Sequence, residues 1–175
     1  MENLEAIIEA LIFVSEEPVT FKRLGEILDG VEDAEIRDAV RALGRNYEAR
    51  QGGLYLAEVA GGYQLRTREF CAGWIKKLHG IRPMTISKAA METLAVIAYR
   101  QPVMKAEIES VRGVDVSGTL KGLLEKNLIR IVGRKDVPGK PIIYGTSKKF
   151  LEVFNLKDLS ELPTLKELKD LEGQS

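Results

Sequence analysis

The sequence predicts a mainly α chain with small β-hairpins, an α+β fold in which one architecture occurs twice. Three observations predict it. Apolar residues recur at helical spacing in three successive segments before residue 50. The period then switches to two on either side of Gly61-Gly62. A single offset of 84 residues carries Pro18-Val19 onto Pro102-Val103, Ile27 onto Val111, and Ile36 and Val40 onto Leu120 and Leu124. It also sets Phe13-Val14 on Ile97-Ala98.

Each element has a local cause. Leu4, Ile7, Ile8, Leu11 and Ile12 share one face of a first helix. Pro18 ends that stretch, because proline lacks an amide and biases Glu17 away from helical angles. Thr20 caps a second helix, with Leu24, Ile27 and Leu28 inward and Asp29-Gly30 closing it. Asp33 caps a third, with Ile36, Val40, Leu43 and Tyr47 as its stripe. Residues 54–59 and 63–67 alternate around the glycine pair and form a hairpin. Residues 68–79 close the module as a helix, with Phe70, Trp74, Ile75 and Leu78 on one side.

The second copy follows a joint at Gly80 to Pro83. Ser87 caps a helix that turns Ala90, Met91, Leu94, Ile97 and Ala98 inward until Pro102 stops it. Residues 104–112 form a short helix ending at Gly113. Asp115 caps the next, with Val116, Leu120, Leu123 and Leu124 inward. Strands at Ile129 to Val132 and Ile142 to Thr146 flank a Pro- and Gly-rich loop, and a short helix at 147–154 buries Leu151 and Phe154. Three helices and a hairpin, twice, is a tandem winged-helix pattern. The domains are expected at 1–80 and 81–157, with an acidic flexible tail at 158–175. In the tail, Leu156, Leu159, Leu162, Leu165, Leu168 and Leu171 recur every third residue, a period that drifts around an α-helix.

Charge supports the division. The 175 residues carry 26 basic and 26 acidic groups, yet residues 1–80 hold 10 basic against 14 acidic. Residues 81–157 hold 14 against 7, and 158–175 hold 2 against 5. No apolar run is long enough for a transmembrane helix, and Glu2, Glu5 and Glu9 leave no basic leader. One cysteine excludes an internal disulfide, so a cytoplasmic location is expected.

Catalytic chemistry finds little footing. Gly133 to Lys140 faintly resembles a phosphate loop, but its glycines stand six apart, Pro141 follows Lys140, and a strand follows the loop. His79 ends a helix, where its cation suits the dipole, and Cys71 is a packing residue. Glu107, Glu109 and Asp115 lack a metal-binding frame. No enzyme activity, cofactor or metal is expected.

Winged helices often read DNA through the third helix, which makes a DNA-binding regulator the alternative. Here the first copy opens that helix with Glu32, Asp33, Glu35 and Asp38, which repel phosphate, and acids flank Arg37, Arg41 and Arg45. The second opens with Asp115 and small residues rather than Arg, Asn or Gln. Arg130, Arg134, Lys135, Lys140, Lys148 and Lys149 suffice for weak, nonspecific DNA contact at most.

Five runs, in order over residues 4 to 163, resemble the segregation and condensation protein B family. They are Ile8-Glu9-Ala10-Leu11-Ile12-Phe13-Val14-Ser15-Glu16-Glu17-Pro18, then Glu58-Val59-Ala60-Gly61-Gly62-Tyr63-Gln64-Leu65-Arg66-Thr67. Next come Glu92-Thr93-Leu94-Ala95-Val96-Ile97-Ala98-Tyr99-Arg100-Gln101-Pro102 and Ala106-Glu107-Ile108-Glu109-Ser110-Val111-Arg112-Gly113-Val114. The last is Gly133-Arg134-Lys135-Asp136-Val137-Pro138-Gly139-Lys140-Pro141, followed by Tyr144-Gly145-Thr146. Val103-Met104-Lys105 departs from the family's frequent Ile-Thr-Arg, and Lys140 stands where Arg is common. The resemblance implies a non-enzymatic homodimer, formed through the first domain, that binds the kleisin subunit. Through the kleisin it would join an SMC ATPase complex that condenses and segregates the chromosome, a nucleoid-associated location.

For the kleisin contact the expected residues are Tyr99, Arg100 and Gln101 at a helix end, with Arg134, Asp136, Lys140 and Tyr144 around the wing. For the dimer they are Phe13, Phe21 and Tyr63.

Overall fold

The computed structural model describes residues 2–80, 85–164 and 167. The joint at 81–83 and the leucines at 165, 168 and 171 lie outside the described residues, as does the side chain of His79.

The chain forms two compact units, one of residues 1–82 with 155–175 and the other of residues 83–154. Both have winged-helix topology. In the first, α1 (Leu4–Val14), a two-residue strand β1 (Val19–Thr20), α2 (Phe21–Ile27) and α3 (Asp33–Arg50) precede the hairpin of β2 (Leu54–Val59) and β3 (Gly62–Thr67). The second runs α5 (Lys88–Arg100), β4 (Val103–Met104), α6 (Lys105–Arg112), α7 (Ser117–Glu125), β5 (Ile129–Arg134), β6 (Ile142–Thr146) and α8 (Lys148–Val153). Helix α4 (Ala72–His79), entered through a 3-10 turn at Glu69–Cys71, follows the first hairpin.

Each sheet has three antiparallel strands, ordered β1-β3-β2 and β4-β6-β5. The sequence reading supplied the hairpins and missed β1 and β4, which are too short to show a period of two. Both open at the residues the 84-residue offset superposes: Val19 pairs with Tyr63, and Val103 with Tyr144. At β1 the chains nearly touch. A Cβ on Gly62 would lie 2.9 Å from the carbonyl carbon and oxygen of Pro18, so a side chain there cannot fit without moving backbone.

The offset slips in the first helices. Phe13 and Val14 are exposed, whereas Ile97 and Ala98 are buried. The buried partners of Ile97 and Thr93 are instead Ile12 and Ile8, one residue out of register. Helix α1 ends at Val14, four residues short of Pro18, while α5 runs to Arg100, so the longer link turns the helix face by one residue.

Ile8, Ile12, Leu24, Leu28, Ile36, Val40, Leu43 and Tyr47 form the first core. In the second unit Leu94, Ile97, Ile108, Leu120, Leu123, Leu128 and Phe150 are buried. Ile27 is exposed rather than inward, because α2 is only two turns long. Met91 is exposed too, and the inward position beside it is Thr93, whose hydroxyl donates to the Ala89 carbonyl. Phe150 is the buried anchor of α8, with the Phe154 ring tilted 42° against it at 4.8 Å and, like Leu151, half-buried.

Caps follow the sequence at Thr20 and Ser87, which accept from the amides of Arg23 and Ala90. Helix α3 begins on Asp33 itself, with Glu32 at the cap position. Helix α7 begins at Ser117, two residues beyond Asp115, whose carboxylate accepts from both the amide and the hydroxyl of Ser117 and pairs with Lys105. After α8 the chain joins the first unit. Ala60 and Gly61 donate to the carbonyls of Leu156 and Lys157, and Lys157 pairs with Glu58.

Candidate functional site

The second unit holds the expected partner residues in two groups. Tyr99 and Arg100 occupy the exposed last turn of α5. Gln101 turns inward. Its amide oxygen accepts from the Thr146 amide at 2.8 Å, and its amide nitrogen donates to the Ala98 carbonyl at 3.1 Å. The side chain therefore fastens the end of α5 to the end of β6. Gly145 permits this, since a Cβ there would lie 2.8 Å from the Val132 side chain and 2.9 Å from the Gln101 amide oxygen.

The wing closes on itself. Lys135 donates its amide to the Pro141 carbonyl, Lys140 to the Val137 carbonyl, and Arg134 sends a guanidinium bond to the Lys140 carbonyl at 3.1 Å. Gly139 and Lys140 both take positive φ, 85° and 38°, which makes the sharp reversal. Asp136 and Lys140 lie exposed at its tip, while Tyr144 is buried at the sheet centre between Val103 and Ile131. The two groups stand apart. Arg134 pairs with Ile142, four residues along β6 from Thr146, or roughly 13 Å at strand spacing.

Between the start of α6 and the wing lies a groove of about 490 Å³, unrecognised in the sequence. Met104, Val137, Pro141, Ile142 and Tyr144 make it apolar, and Lys105, Glu109 and Lys135 edge it. Its residues come from two separate stretches of the chain, 104–109 and 135–144. At its margin Lys105 lies 3.0 Å from Asp115 and 3.2 Å from Glu109. The Ser117 hydroxyl, then Lys105, hold the Asp115 carboxyl well below the usual carboxylate range, and the two acids raise Lys105. A fixed carboxylate thus sits just ahead of α7, the helix that would face DNA. In the first unit Arg41 pairs with Asp38, and the Arg37 guanidinium lies 4.0 Å over the Phe21 ring.

The expected dimer residues also divide. Phe13 is 71% exposed at the end of α1 beside Val14, at 73%. Phe21 and Tyr63 are half-buried against the first core. Burial, then the nearby Glu58 charge, raises the Tyr63 phenol. The stripe expected to close the first module faces solvent instead: Phe70, Trp74 and Leu78 are 67%, 73% and 79% exposed. Spacing correctly puts them on one face, but spacing carries no information on whether another element covers it.

Among the described residues no group of His, Cys, Asp and Glu is placed to hold a metal, and no helix is long and apolar enough to cross a membrane.

The family model described as segregation and condensation complex subunit ScpB matches residues 6–165. A relative, segregation and condensation protein B of Syntrophotalea carbinolica, is 49% identical over 173 residues, 99% of this chain and 87% of that one. Crystalline ScpB from Mycobacterium tuberculosis is similar at 32% identity with a TM-score of 0.41, over 86% of this chain and 94% of that one. A further structure, a dimer of ScpB N-terminal domain complexed with ScpA peptide, is 28% identical with a TM-score of 0.39 over 42% of this chain and 91% of that one.

Proposed function

The chain belongs to the segregation and condensation complex subunit ScpB family, and from that premise we propose that it is a non-enzymatic, dimeric adaptor for a kleisin. In this reading the first unit dimerises and the second engages the kleisin, which connects the chain to an SMC ATPase at the nucleoid. The observation that carries it is a family match spanning both units in register, residues 6–165. Two features of the surface support it. Phe13 and Val14 are apolar, exposed and adjacent, as self-association requires. The second unit presents Arg100 at one end of its hairpin, and Arg134, Asp136 and Lys140 at the other, with the apolar groove beside the wing. A segment lying along the hairpin would meet both groups. Gln101 supports that surface from behind, and Tyr144 forms part of the groove wall.

Size-exclusion chromatography with light scattering, with and without the central fragment of the cognate kleisin, tests the reading. The expected result is a species of twice the chain mass that takes up the fragment. Alanine at Arg100, Asp136 and Lys140 together should weaken uptake by at least tenfold at an unchanged melting temperature. A monomer that ignores the fragment but binds duplex DNA with a steep salt dependence would replace the adaptor with a regulator.

A further inference from the structure

Residues 83–154 carry 12 basic groups against 7 acidic. Contacts among the described residues divide the cations. Arg112 pairs with Glu92, Lys105 with Glu109 and Asp115, Lys121 with Glu125, and Lys149 with Glu152. Of the other two acids, Glu107 accepts from the Met104 amide and Asp136 sits on the wing. Eight cations are left without an ion pair among the described residues. Arg100, Arg134, Lys135 and Lys140 belong to the surface assigned above to the kleisin. Lys88, Lys126, Arg130 and Lys148 do not, and all four are exposed.

These four gather where two chain reversals meet. Ser147 donates its amide to the Leu128 carbonyl at 3.2 Å and its hydroxyl to the Asn127 carbonyl. Those bonds hold the turn after α7, which carries Lys126, against the start of α8, which carries Lys148. Arg130 donates its Nε to the Thr146 carbonyl at 3.2 Å, and its two terminal nitrogens have no partner among the described residues. Lys88 opens α5, next to a groove of about 440 Å³ that Ser87 and Lys126 both line.

We propose that this patch, at the C-terminal end of α7, binds the phosphate backbone of duplex DNA without regard to sequence. Cations free of acid partners are what phosphate contact requires, and the nearest acids in the chain, Glu125 and Glu152, are engaged by Lys121 and Lys149. A protein partner or a bilayer would need an apolar anchor. No large apolar side chain is exposed at 85–90, 121–130 or 146–149. The Arg130 guanidinium is already held at one nitrogen, so it loses less freedom on meeting a phosphate. Base reading by a winged helix uses the opposite end of the helix, where Asp115 repels phosphate. Contact at this end is therefore with the backbone, which carries no sequence information.

Fluorescence anisotropy of a labelled duplex of about 30 base pairs, titrated with the full chain, tests the assignment. Wild type should bind two unrelated sequences equally, with a Kd of roughly 1–100 μM at physiological salt. Log K should fall against log salt with a slope of about −3 to −4, as four phosphate contacts require. Lys126→Ala with Lys148→Ala should weaken binding about tenfold or more and make that slope shallower by about 2. Melting temperature and kleisin uptake should stay at wild type in that variant. Lys135→Ala with Lys140→Ala, on the wing, should change DNA binding less than about threefold. Wild type that fails to bind at about 100 μM chain in low salt would overturn the proposal and leave the adaptor reading standing. Loss of binding with the wing pair, and none with Lys126 and Lys148, would overturn it by moving the contact to the wing. Polyglutamate that displaces the duplex as well as unlabelled DNA does would give the patch to an acidic protein instead. A preference of more than about tenfold between the two duplexes would restore base reading by α7 and overturn backbone contact.

Discussion

At the scale of the residue, single contacts tie each unit to pH and to volume. Tyr47 is buried on α3 and donates to the Glu9 carboxylate. Burial first, then that bond and the Glu9 charge, raise its phenol above the ordinary 10.0. A raised value favours the protonated phenol in the fold. The stabilisation is therefore complete below about pH 10 and is lost as pH climbs through the folded value. Tyr47→Phe should cost about 1–3 kcal/mol at neutral pH and give a flatter fall in melting temperature above about pH 10. Calorimetry across that window checks both. In the second unit Gly145→Ala forces a methyl between Val132 and the Gln101 amide. We expect a loss of about 1–3 kcal/mol by urea unfolding. Kleisin uptake should weaken as well, because Gln101 positions the end of α5 that carries Tyr99 and Arg100.

At the scale of the element, capping and length explain where helices begin and which positions they bury. Thr20 and Ser87 do what their types and positions imply, since an N-cap bond is local. Asp115 stands one residue ahead of the cap position, Val116, and its carboxylate accepts from the Ser117 amide at 3.4 Å while it also pairs with Lys105, ten residues earlier. Helix α4 is legible as an amphipathic segment, yet its apolar face is bare. The wing is stiff for a loop with one glycine and two prolines: three backbone bonds and the Arg134 guanidinium close it. Its exposed tip thus presents Asp136 and Lys140 on a held frame, which limits the entropy lost when a partner binds.

At the scale of the whole molecule, each unit has its own core and its own sheet, as the repeat in the sequence implies. A core truncation should then be felt in one unit. Leu94→Ala, at a site 1% exposed, should cost about 2–5 kcal/mol. Hydrogen exchange should rise across α5, α6 and α7 and leave α1 and α3 near wild type. Equal loss of protection at Ile8 and Ile36 would show the two cores to be one cooperative body. Residues 155–157 belong to the first unit through hydrogen bonds to its hairpin tip, so the chain leaves that unit near residue 82 and rejoins it at Asn155.

The sequence by itself determined the architecture, the repeat and the family. Those depend on local periodicity, on caps and breakers such as Thr20, Pro18 and Pro102, and on runs of residues in fixed order. Only the tertiary structure decided which apolar residues are covered. Ile12 is buried and Phe13 is not, Thr93 is buried and Met91 is not, and Phe70, Trp74 and Leu78 form an exposed stripe. It also decided that Gln101 faces inward, that Tyr144 is sheet core, and that Met104, Val137 and Tyr144 line one groove. The physical reason is range. Periodicity and capping act within a few residues, whereas burial depends on elements that arrive from a dozen to some forty residues away.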